Sequence, residues 1–236
     1  MTLREMSPLD VDALTSLWVE CFGDDEAVAC SYYRLVGAEG VVAEKDGKII
    51  SMMNISPISL KLGEKDIKGG FVYAACTKTC ERGKGVFRAL NACAEGYARE
   101  HGMEFLMLIP AHDGLFPMYR SMGYVNEAYP AVFSRVDGAD FDGNIDDLYS
   151  LYLRTRNAPS FVKSRGLFRY ALVSEDCVVA VSNDGYAVYA PDGGIFESTM
   201  TVGAGGKPKA LFKWIGAGYE IKEKLTVDFF GESAHE

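Results

Sequence analysis

Arg82-Gly83-Lys84-Gly85-Val86-Phe87 is the stretch that decides the fold. It follows an apolar, strand-like run from Phe71 to Thr77 and opens a helix-like run from Val86 to His101. A glycine-rich loop at such a junction presents several backbone N–H groups at a helix N-terminus, a geometry that binds phosphate. Arg82 and Lys84 bring positive charge to this loop in a chain whose net charge is -9. The stretch therefore predicts an anion site.

Other phosphate-binding patterns fit this loop less well. The G-x-x-x-x-G-K-[ST] pattern fails because Gly85 follows Lys84. The G-x-G-x-x-G pattern fails because Arg88 occupies the third glycine position. For the loop taken alone, the alternative is a basic turn that faces solvent and binds no ligand.

The sequence after the loop continues with recognisable elements. Apolar residues recur with a period near 3.6 over residues 86–101, which predicts a helix that Gly102 ends. An apolar strand follows over residues 105–109. A short helix that contains Tyr119 comes next, and Gly123-Tyr124 precedes a further strand. The order is thus strand, basic loop, helix, strand, tyrosine helix, Gly-Tyr and strand.

With these pieces in this order, residues 1–135 resemble the GNAT N-acyltransferase superfamily. Its pattern Q/R-x-x-G-x-G/A corresponds to residues 82–87, except that Phe87 replaces the final Gly or Ala. The loop is most similar to those of the multi-domain bacterial branch, the tandem, Eis-like GNAT proteins. The resemblance implies an α/β (α+β) GNAT fold, in which helices flank a central mixed, mostly antiparallel sheet. It also implies a smaller, degenerate GNAT-like second half.

A change of composition near residue 137 divides the chain. The acidic, glycine-rich stretch 137–144 has the chemistry of a linker. We therefore predict a catalytic domain that binds acyl-CoA over residues 1–136, and a smaller α+β domain over residues 144–236. Because the second domain lacks the basic loop, we expect it to bind no CoA. The patterns in it predict helices at 145–155 and 160–166, strands at 170–174, 177–182, 186–190 and 195–201, a loop at 203–208, a helical turn at 210–215 and a final strand at 220–230.

The resemblance also implies where the cofactor lies. The loop would hold the pyrophosphate of CoA, and the end of the preceding strand would splay from its neighbour and bind the pantetheine amides. One N–H there would also polarise the thioester carbonyl. The alternative for this strand end is ordinary sheet pairing. The residues expected to bind the cofactor are Ala75, Cys76, Thr77, Arg82, Gly83, Lys84, Gly85, Val86 and Phe87.

Tyr119 occupies the position that the resemblance gives to the general acid. A thiol has a pKa near ~8.5, so a departing CoA thiolate is basic enough to take a proton from a phenol. The alternative is a core aromatic side chain. His112 and Asp113 are candidates for the general base, and the alternative for them is a loop and helix N-cap.

The resemblance implies that the region of the first two predicted helices lines the acceptor pocket. Four acidic residues there are candidates for holding a cationic amine, with helix capping and a solvated face as the alternative: Glu20, Asp24, Asp25 and Glu26.

Composition narrows the class of protein, its expected location and its expected ligands and partners. The 236 residues are 48% hydrophobic and 24% charged, as in soluble globular proteins, and no apolar run is long enough to span a membrane. The N-terminus has no signal-peptide h-region, so we expect a cytoplasmic location. The six cysteines form no C-x-x-C pair, which argues against a metal. The sequence pI of about 4.9 argues against a nucleic-acid partner.

These observations and the resemblance predict an N-acetyltransferase. It would move an acetyl group from acetyl-CoA directly to a primary amine of a small-molecule or peptide acceptor, without a covalent enzyme intermediate, and exposed strand edges would allow a homodimer. One alternative is a CoA-binding module or sensor with a vestigial active site. Another is an acyl-binding or scaffolding protein without affinity for CoA.

Overall fold

The computed structural model describes residues 1–133, 136, 138–141, 143–156, 159–173, 178–182, 185–189, 194–199 and 201–228. The helices are α1 (Val11–Phe22), α2 (Glu26–Leu35), α3 (Val86–Glu100), α4 (Phe116–Arg120), α5 (Ile145–Thr155) and α6 (Arg165–Val173). Short 3-10 turns occupy Pro8–Asp10, Thr79–Glu81 and Asp113–Leu115. The strands are β1 (Thr2–Glu5), β2 (Gly40–Lys45), β3 (Lys48–Leu62), β4 (Lys65–Thr77), β5 (Phe105–Leu108), β6 (Asn126–Phe133), β7 (Ala139–Asp140), β8 (Ser160–Lys163), β9 (Val178–Val181), β10 (Tyr186–Tyr189), β11 (Ile195–Ser198), β12 (Thr201–Ala204), β13 (Ala210–Trp214) and β14 (Thr226–Val227).

The chain forms two compact units that are discontinuous in sequence. The first contains residues 1–58, 67–126 and 211–220, and the second contains 59–66, 127–210 and 221–236. A segment near the C-terminus is therefore part of the first unit. The domain boundaries at residues 136 and 144 stay a prediction.

The first unit is built on a mixed, mostly antiparallel sheet in the order β1-β2-β3-β4-β5-β13. The β1–β2, β2–β3 and β5–β13 pairs are antiparallel, and β4–β5 is parallel. The predicted fold class, a GNAT-type sheet flanked by helices, is confirmed.

Local signals explain the first elements of this unit. Ser7 caps the first turn in a capping box with Asp10, and Pro8 stands at the start of that turn. Asp46 and Gly47 both have positive φ, 51° and 72°, as a type I′ turn between β2 and β3 requires. These residues set the register of the β2–β3 hairpin.

Helices cover both faces of the sheet. On one face, α3 buries Leu90, Ala94 and Ala98 among sheet residues such as Val72 and Leu106. On the other, α1 and α2 contribute aromatic rings to a cluster with β4 that contains Trp18, Tyr32, Tyr33, Phe71 and Tyr73. Burial of such rings supplies much of the stabilisation of a domain.

The second unit has its own strands and core. β6 pairs with β12 and, in parallel, with β14, which also pairs with β8. A separate antiparallel sheet has the order β11-β10-β9-β7. The core packs α5 and α6 against β10 through Leu148, Tyr152, Phe168, Tyr186 and Val188.

A buried ionic cluster lies inside the second unit. Lys163 bonds Glu197, and Arg156 pairs with Asp228 and, at 3.4 Å, with Glu197. Tyr186 also donates its hydroxyl hydrogen bond to Glu197. Two cations thus face two carboxylates away from water, where each charge depends on its partners.

Several predictions for the second half were wrong. Residues 160–163 of the expected helix form β8, and the expected strand at 170–174 lies in α6 up to Val173. The expected helical turn at 210–215 is β13, the loop at 203–208 begins inside β12, and the final strand is only β14. The helix at 145–155 is confirmed, and the strands near 178, 186 and 195 are present. Parts of the predicted linker, of the strands and of their turns lie outside the described residues: 137, 142, 174, 177, 183, 184, 190, 192, 193, 200, 229 and 230.

Within the part of the chain that the structure describes, no helix is both long and apolar enough to cross a bilayer.

Candidate active site

The candidate site lies at the carboxyl ends of β4 and β5 in the first unit. The two strands are parallel, so their ends meet at the same edge of the sheet. The loop 82–87 follows β4 and leads into α3, while residues 112–119 follow β5. Ligands of open sheets commonly bind outside the carboxyl ends of parallel strands. The topology therefore brings the predicted cofactor loop and the predicted catalytic residues to one edge.

The pairing of β4 with β5 stops before β4 ends. Their parallel register runs from Gly69 opposite Phe105 to Val72 opposite Leu108, and Ala75 to Thr77 lie beyond it. Ala74 has a φ of 44°, which is rare for a residue other than glycine and marks a local irregularity in the strand. Residues 75–77 of β4 thus extend past the end of its pairing with β5.

Hydrogen bonds already engage part of the backbone at this strand end. The carbonyl oxygen of Cys76 accepts from Ser51 Oγ at 2.7 Å, and that of Thr77 accepts from Arg82 Nε at 3.0 Å. These bonds hold the end of β4 in place beside the loop.

The loop conformation leaves the N-terminus of α3 free of side-chain caps. Gly83 and Gly85 have φ of 75° and 78°, so both need the left-handed backbone that glycine adopts most readily. Gly85 is the N-cap residue, no side chain caps the helix, and its first turn contains no acidic residue. The first backbone N–H groups of a helix lack intrahelical acceptors, and they attract anions together with the helix dipole. This end of α3 is suited to a phosphate group.

The charged side chains of the loop have partners within the protein. Lys84 Nζ lies 3.1 Å from Glu81 Oε2, and Lys45 Nζ lies 2.9 Å from Glu81 Oε1. The two ammonium groups hold the pKa of Glu81 below its usual range, with Lys45 the larger cause. Arg82 is bonded to Thr77 through Nε. The loop remains net positive, because one carboxylate faces two lysines and Arg82 adds a further charge.

Val86 and Phe87 turn their side chains away from the loop surface. Val86 is buried in the core beneath the sheet, and Phe87 packs against the same core. The ring of Phe87 meets that of Tyr119 edge-on, with centroids 6.2 Å apart. The bulk of Phe87 at the last position of the loop is therefore accommodated by the core, and its backbone N–H stays at the helix N-terminus.

Tyr119 is buried in α4, with 8% of its surface exposed. Burial raises the pKa of its phenol to about 12, so the hydroxyl remains protonated at neutral pH. Its ring also packs edge-on against Tyr124, with centroids 5.9 Å apart. A buried, protonated phenol has the protonation state that a general acid needs, and the same packing suits the core role that the sequence left open.

Behind Tyr124 lies a buried lysine that sequence reasoning missed. Lys213, on β13, places Nζ 4.3 Å from the centroid of the Tyr124 ring and 2.6 Å from Glu95 Oε1. The Tyr124 hydroxyl donates to Asn91 Oδ1 at 3.2 Å. Burial lowers the pKa of Lys213, against the opposing effect of Glu95. A lysine within the apolar run 210–215 was the signal available in the sequence.

His112 and Asp113 occupy the exposed turn between β5 and α4. His112 immediately precedes the 3-10 turn that begins at Asp113, and its side chain does not cap that turn. Their role as general base stays a prediction.

The acidic residues of the α1–α2 region have structural partners. Trp18 Nε1 donates to Asp24 at 2.7 Å, and Asp25 caps α2 through the N–H of Ala27. Glu20 pairs with Lys78 at 3.3 Å, and Glu26 lies in the first turn of α2. These contacts support the alternative of capping and pairing for this group.

In the described ranges, no group of three or more His, Cys, Asp or Glu side chains is arranged to hold a metal ion.

Comparison with known proteins gives one family match and several similar structures. A family model described as an acetyltransferase (GNAT) domain matches residues 2–126, more than half of the chain. No curated protein matches the chain. The structure of Eis1 from Mycobacterium abscessus is similar, with a TM-score of 0.70 and 12% identity over 91% of this chain and 74% of that protein.

Two further structures are GCN5-related N-acetyltransferases. The protein from Anabaena variabilis gives a TM-score of 0.65 at 16% identity, covering 86% of this chain and 59% of that one. The protein from Kribbella flavida gives a TM-score of 0.62 at 14% identity, covering 92% of this chain and 65% of that one. The chain thus spans less than two thirds of these two proteins. At such identities the likeness shows the fold.

Proposed function

The chain belongs to the GNAT acetyltransferases, a family of acyltransferases, and from this membership we propose that it transfers an acetyl group from acetyl-CoA directly to a primary amine. The acceptor would be a small molecule or a peptide. The observation that carries the proposal is the uncapped N-terminus of α3 behind the loop 82–87, beside the end of β4 that extends past β5.

The loop is proposed to bind the pyrophosphate of acetyl-CoA. The N–H groups at the start of α3 would donate to the phosphate oxygens, and the net positive charge of Arg82, Lys84 and Lys45 against Glu81 would complement their charge. Pantetheine would lie along the end of β4, as a strand added to a free edge. An N–H there would stabilise the oxyanion formed when the amine attacks the thioester carbonyl.

Tyr119 is proposed to protonate the departing thiolate. Because burial raises its pKa to about 12, the phenol carries its proton throughout the neutral range. His112 and Asp113 are proposed to remove the proton of the attacking amine, directly or through water, from the turn that follows β5.

The proposal is tested by turnover. Acetyl-CoA is incubated with the protein and a panel of primary amines that includes polyamines, aminoglycosides, amino acids and lysine peptides, and the release of CoA thiol is followed. We expect release that depends on both the protein and one class of amine, with an N-acetylated product seen by mass spectrometry. Binding of CoA without turnover for any amine would instead support the non-catalytic module. Absence of CoA binding would refute both functions.

A further inference from the structure

Two cysteines lie at the end of β4, where pantetheine is proposed to bind, and the proposed acyl transfer uses neither thiol. Cys21 lies in the last turn of α1, and its Sγ is 3.7 Å from the carbonyl oxygen of Thr77. The same carbonyl accepts the hydrogen bond of Arg82 Nε at 3.0 Å. Cys76 is the residue before Thr77 and is only 7% exposed. The end of α1 is therefore packed against the strand residue that carries the second thiol.

The irregularity at Ala74 places Cys76 on the face of the sheet that α1 covers. Val72 and Ala75 both pack in the core beneath α3, whereas Tyr73 contacts Trp18 of α1 with centroids 5.6 Å apart. In a regular strand, residues 72, 74 and 76 would share a face. Because the chain changes face at Ala74, where φ is 44°, Cys76 turns toward α1, where the Sγ of Cys21 lies 3.7 Å from the carbonyl oxygen of the next residue, Thr77.

We propose that Cys21 and Cys76 form a thiol–disulfide exchange site for small-molecule disulfides, in which Cys21 attacks and Cys76 resolves. This site adjoins the strand end that is proposed to bind pantetheine, but neither cysteine needs to carry an acyl group.

The exchange balances in two steps. The Cys21 thiolate attacks one sulfur of a disulfide R–S–S–R, a Cys21–S–S–R bond forms, and R–S⁻ leaves and takes a proton from solvent. Cys76 then loses its proton to solvent and attacks the sulfur of Cys21, and the second R–S⁻ leaves and is protonated in the same way. The two protein thiols are oxidised to one disulfide, and the small disulfide is reduced to two thiols.

The surroundings of Cys21 favour its thiolate. A hydrogen bond from Cys76, opposed by burial and assisted by Arg82, lowers the pKa of Cys21 to about 7. Glu20 opposes this effect from the same helix, but its carboxylate is paired with Lys78. A thiol with a pKa near ambient pH is the best attacking group in exchange.

The thiol of Cys76 stays protonated while Cys21 is a thiolate. The bond to Cys21, followed by burial, raises the pKa of Cys76 well above its ordinary value. Once Cys21 is part of a mixed disulfide, its negative charge is gone, and the largest cause of that raised pKa disappears. Burial still raises the pKa of Cys76, but its thiol no longer faces a thiolate and attacks the neighbouring sulfur once its proton is lost, which requires an approach to about 2.05 Å.

The first test uses the whole chain and glutathione disulfide at neutral pH. Mass spectrometry of non-reduced digests should find a Cys21–Cys76 crosslink, lighter than the reduced pair by two hydrogen atoms, before stable adducts accumulate on the exposed Cys30 and Cys80. Cys80→Ser is the matched control and should form the same crosslink at the same rate. Glutathione adducts on Cys30 and Cys80 without the crosslink would overturn the proposal.

Variants of Cys76 separate the two roles. In Cys76→Ala and Cys76→Ser, the glutathione adduct on Cys21 should persist because nothing resolves it. The serine variant keeps a donor toward Cys21, so its rate of alkylation by iodoacetamide should rise with pH around a midpoint closer to 7 than that of the alanine variant. Equal midpoints, or loss of the adduct in either folded variant, would overturn the assignment of Cys76.

Discussion

Gly85→Ala and Gly96→Ala add the same methyl group to the same helix with opposite expected effects. Gly85 is the N-cap of α3 with φ of 78°, and Gly96 lies in the helix interior. A Cβ added at either position meets no atom within 4 Å. Packing therefore does not distinguish the two variants, and only the backbone conformation differs.

The magnitudes follow from that difference. A left-handed conformation costs a residue with a Cβ roughly 1–2 kcal/mol, partly offset by the reduced freedom of the unfolded chain, so Gly85→Ala should destabilise by about 1 kcal/mol. Glycine inside a helix costs about 0.5–1 kcal/mol relative to alanine, so Gly96→Ala should stabilise by that amount. The two variants should differ by roughly 1.5–2 kcal/mol.

Urea unfolding followed by tryptophan fluorescence measures this difference. Both tryptophans, Trp18 and Trp214, belong to the first unit, so their emission reports the unit that contains α3. The free energies of unfolding are compared at an unchanged dependence on urea. Equal effects of the two substitutions, or a stabilising Gly85→Ala, would refute the loop conformation and with it the arrangement of N–H groups at the start of α3.

Two other predictions concern catalysis and the second unit. Tyr119→Phe should lower kcat by about 10²–10⁴-fold with little change in the Kd of CoA, and an unchanged kcat in the variant would remove Tyr119 from the mechanism. Because burial raises the pKa of this phenol to about 12, loss of its proton should not reduce the wild-type rate below about pH 10. Lys163→Met should cost about 3–5 kcal/mol, because it removes one of two cations that face buried carboxylates such as Glu197. Arg165→Met, at the exposed pair with Asp146, should cost far less in the same urea titration followed by circular dichroism, because water screens an exposed ion pair, and equal costs would contradict the burial of the cluster.

The secondary structure of the first 126 residues could be predicted from the sequence because their local signals agree with the tertiary structure. Ser7 and Pro8 begin a helix, Asp46-Gly47 makes a hairpin, and Gly102 follows α3. Each signal acts within a few residues, and each predicts the element that long-range packing also requires.

The second half could not be read in this way because partners distant in sequence decide its elements. Residues 210–215 contain good helix formers, yet residues 211–214 pair with β5 about a hundred residues earlier. In α6 the buried Leu167, Phe168, Tyr170 and Ala171 follow a helical stripe, whereas the sequence was interpreted as a helix at 160–166 followed by a strand at 170–174. Short apolar runs do not reveal their own secondary structure.

In the candidate site, too, local signals could be predicted from the sequence and long-range contacts could not. The position of the loop followed from its glycines, while the partners of its charges did not, since Lys45 reaches Glu81, the partner of Lys84, from 36 residues away. Lys213 reaches Glu95 from 118 residues away. The contacts between Cys21 and the end of β4 depend on the irregularity at Ala74, for which the sequence offers no glycine or proline signal.

The most direct test of the account is a calorimetric titration of CoA into the wild-type protein, Gly85→Glu and Gly96→Glu. Both variants add one carboxylate to α3 in open space, but only the first places it at the helix N-terminus. We predict saturable binding to the wild type and to Gly96→Glu, and at least ~100-fold weaker binding to folded Gly85→Glu, because like charges in contact cost several kcal/mol. Equal affinity for all three proteins, or no binding to the wild type, would contradict the assignment of residues 82–87 as the cofactor loop.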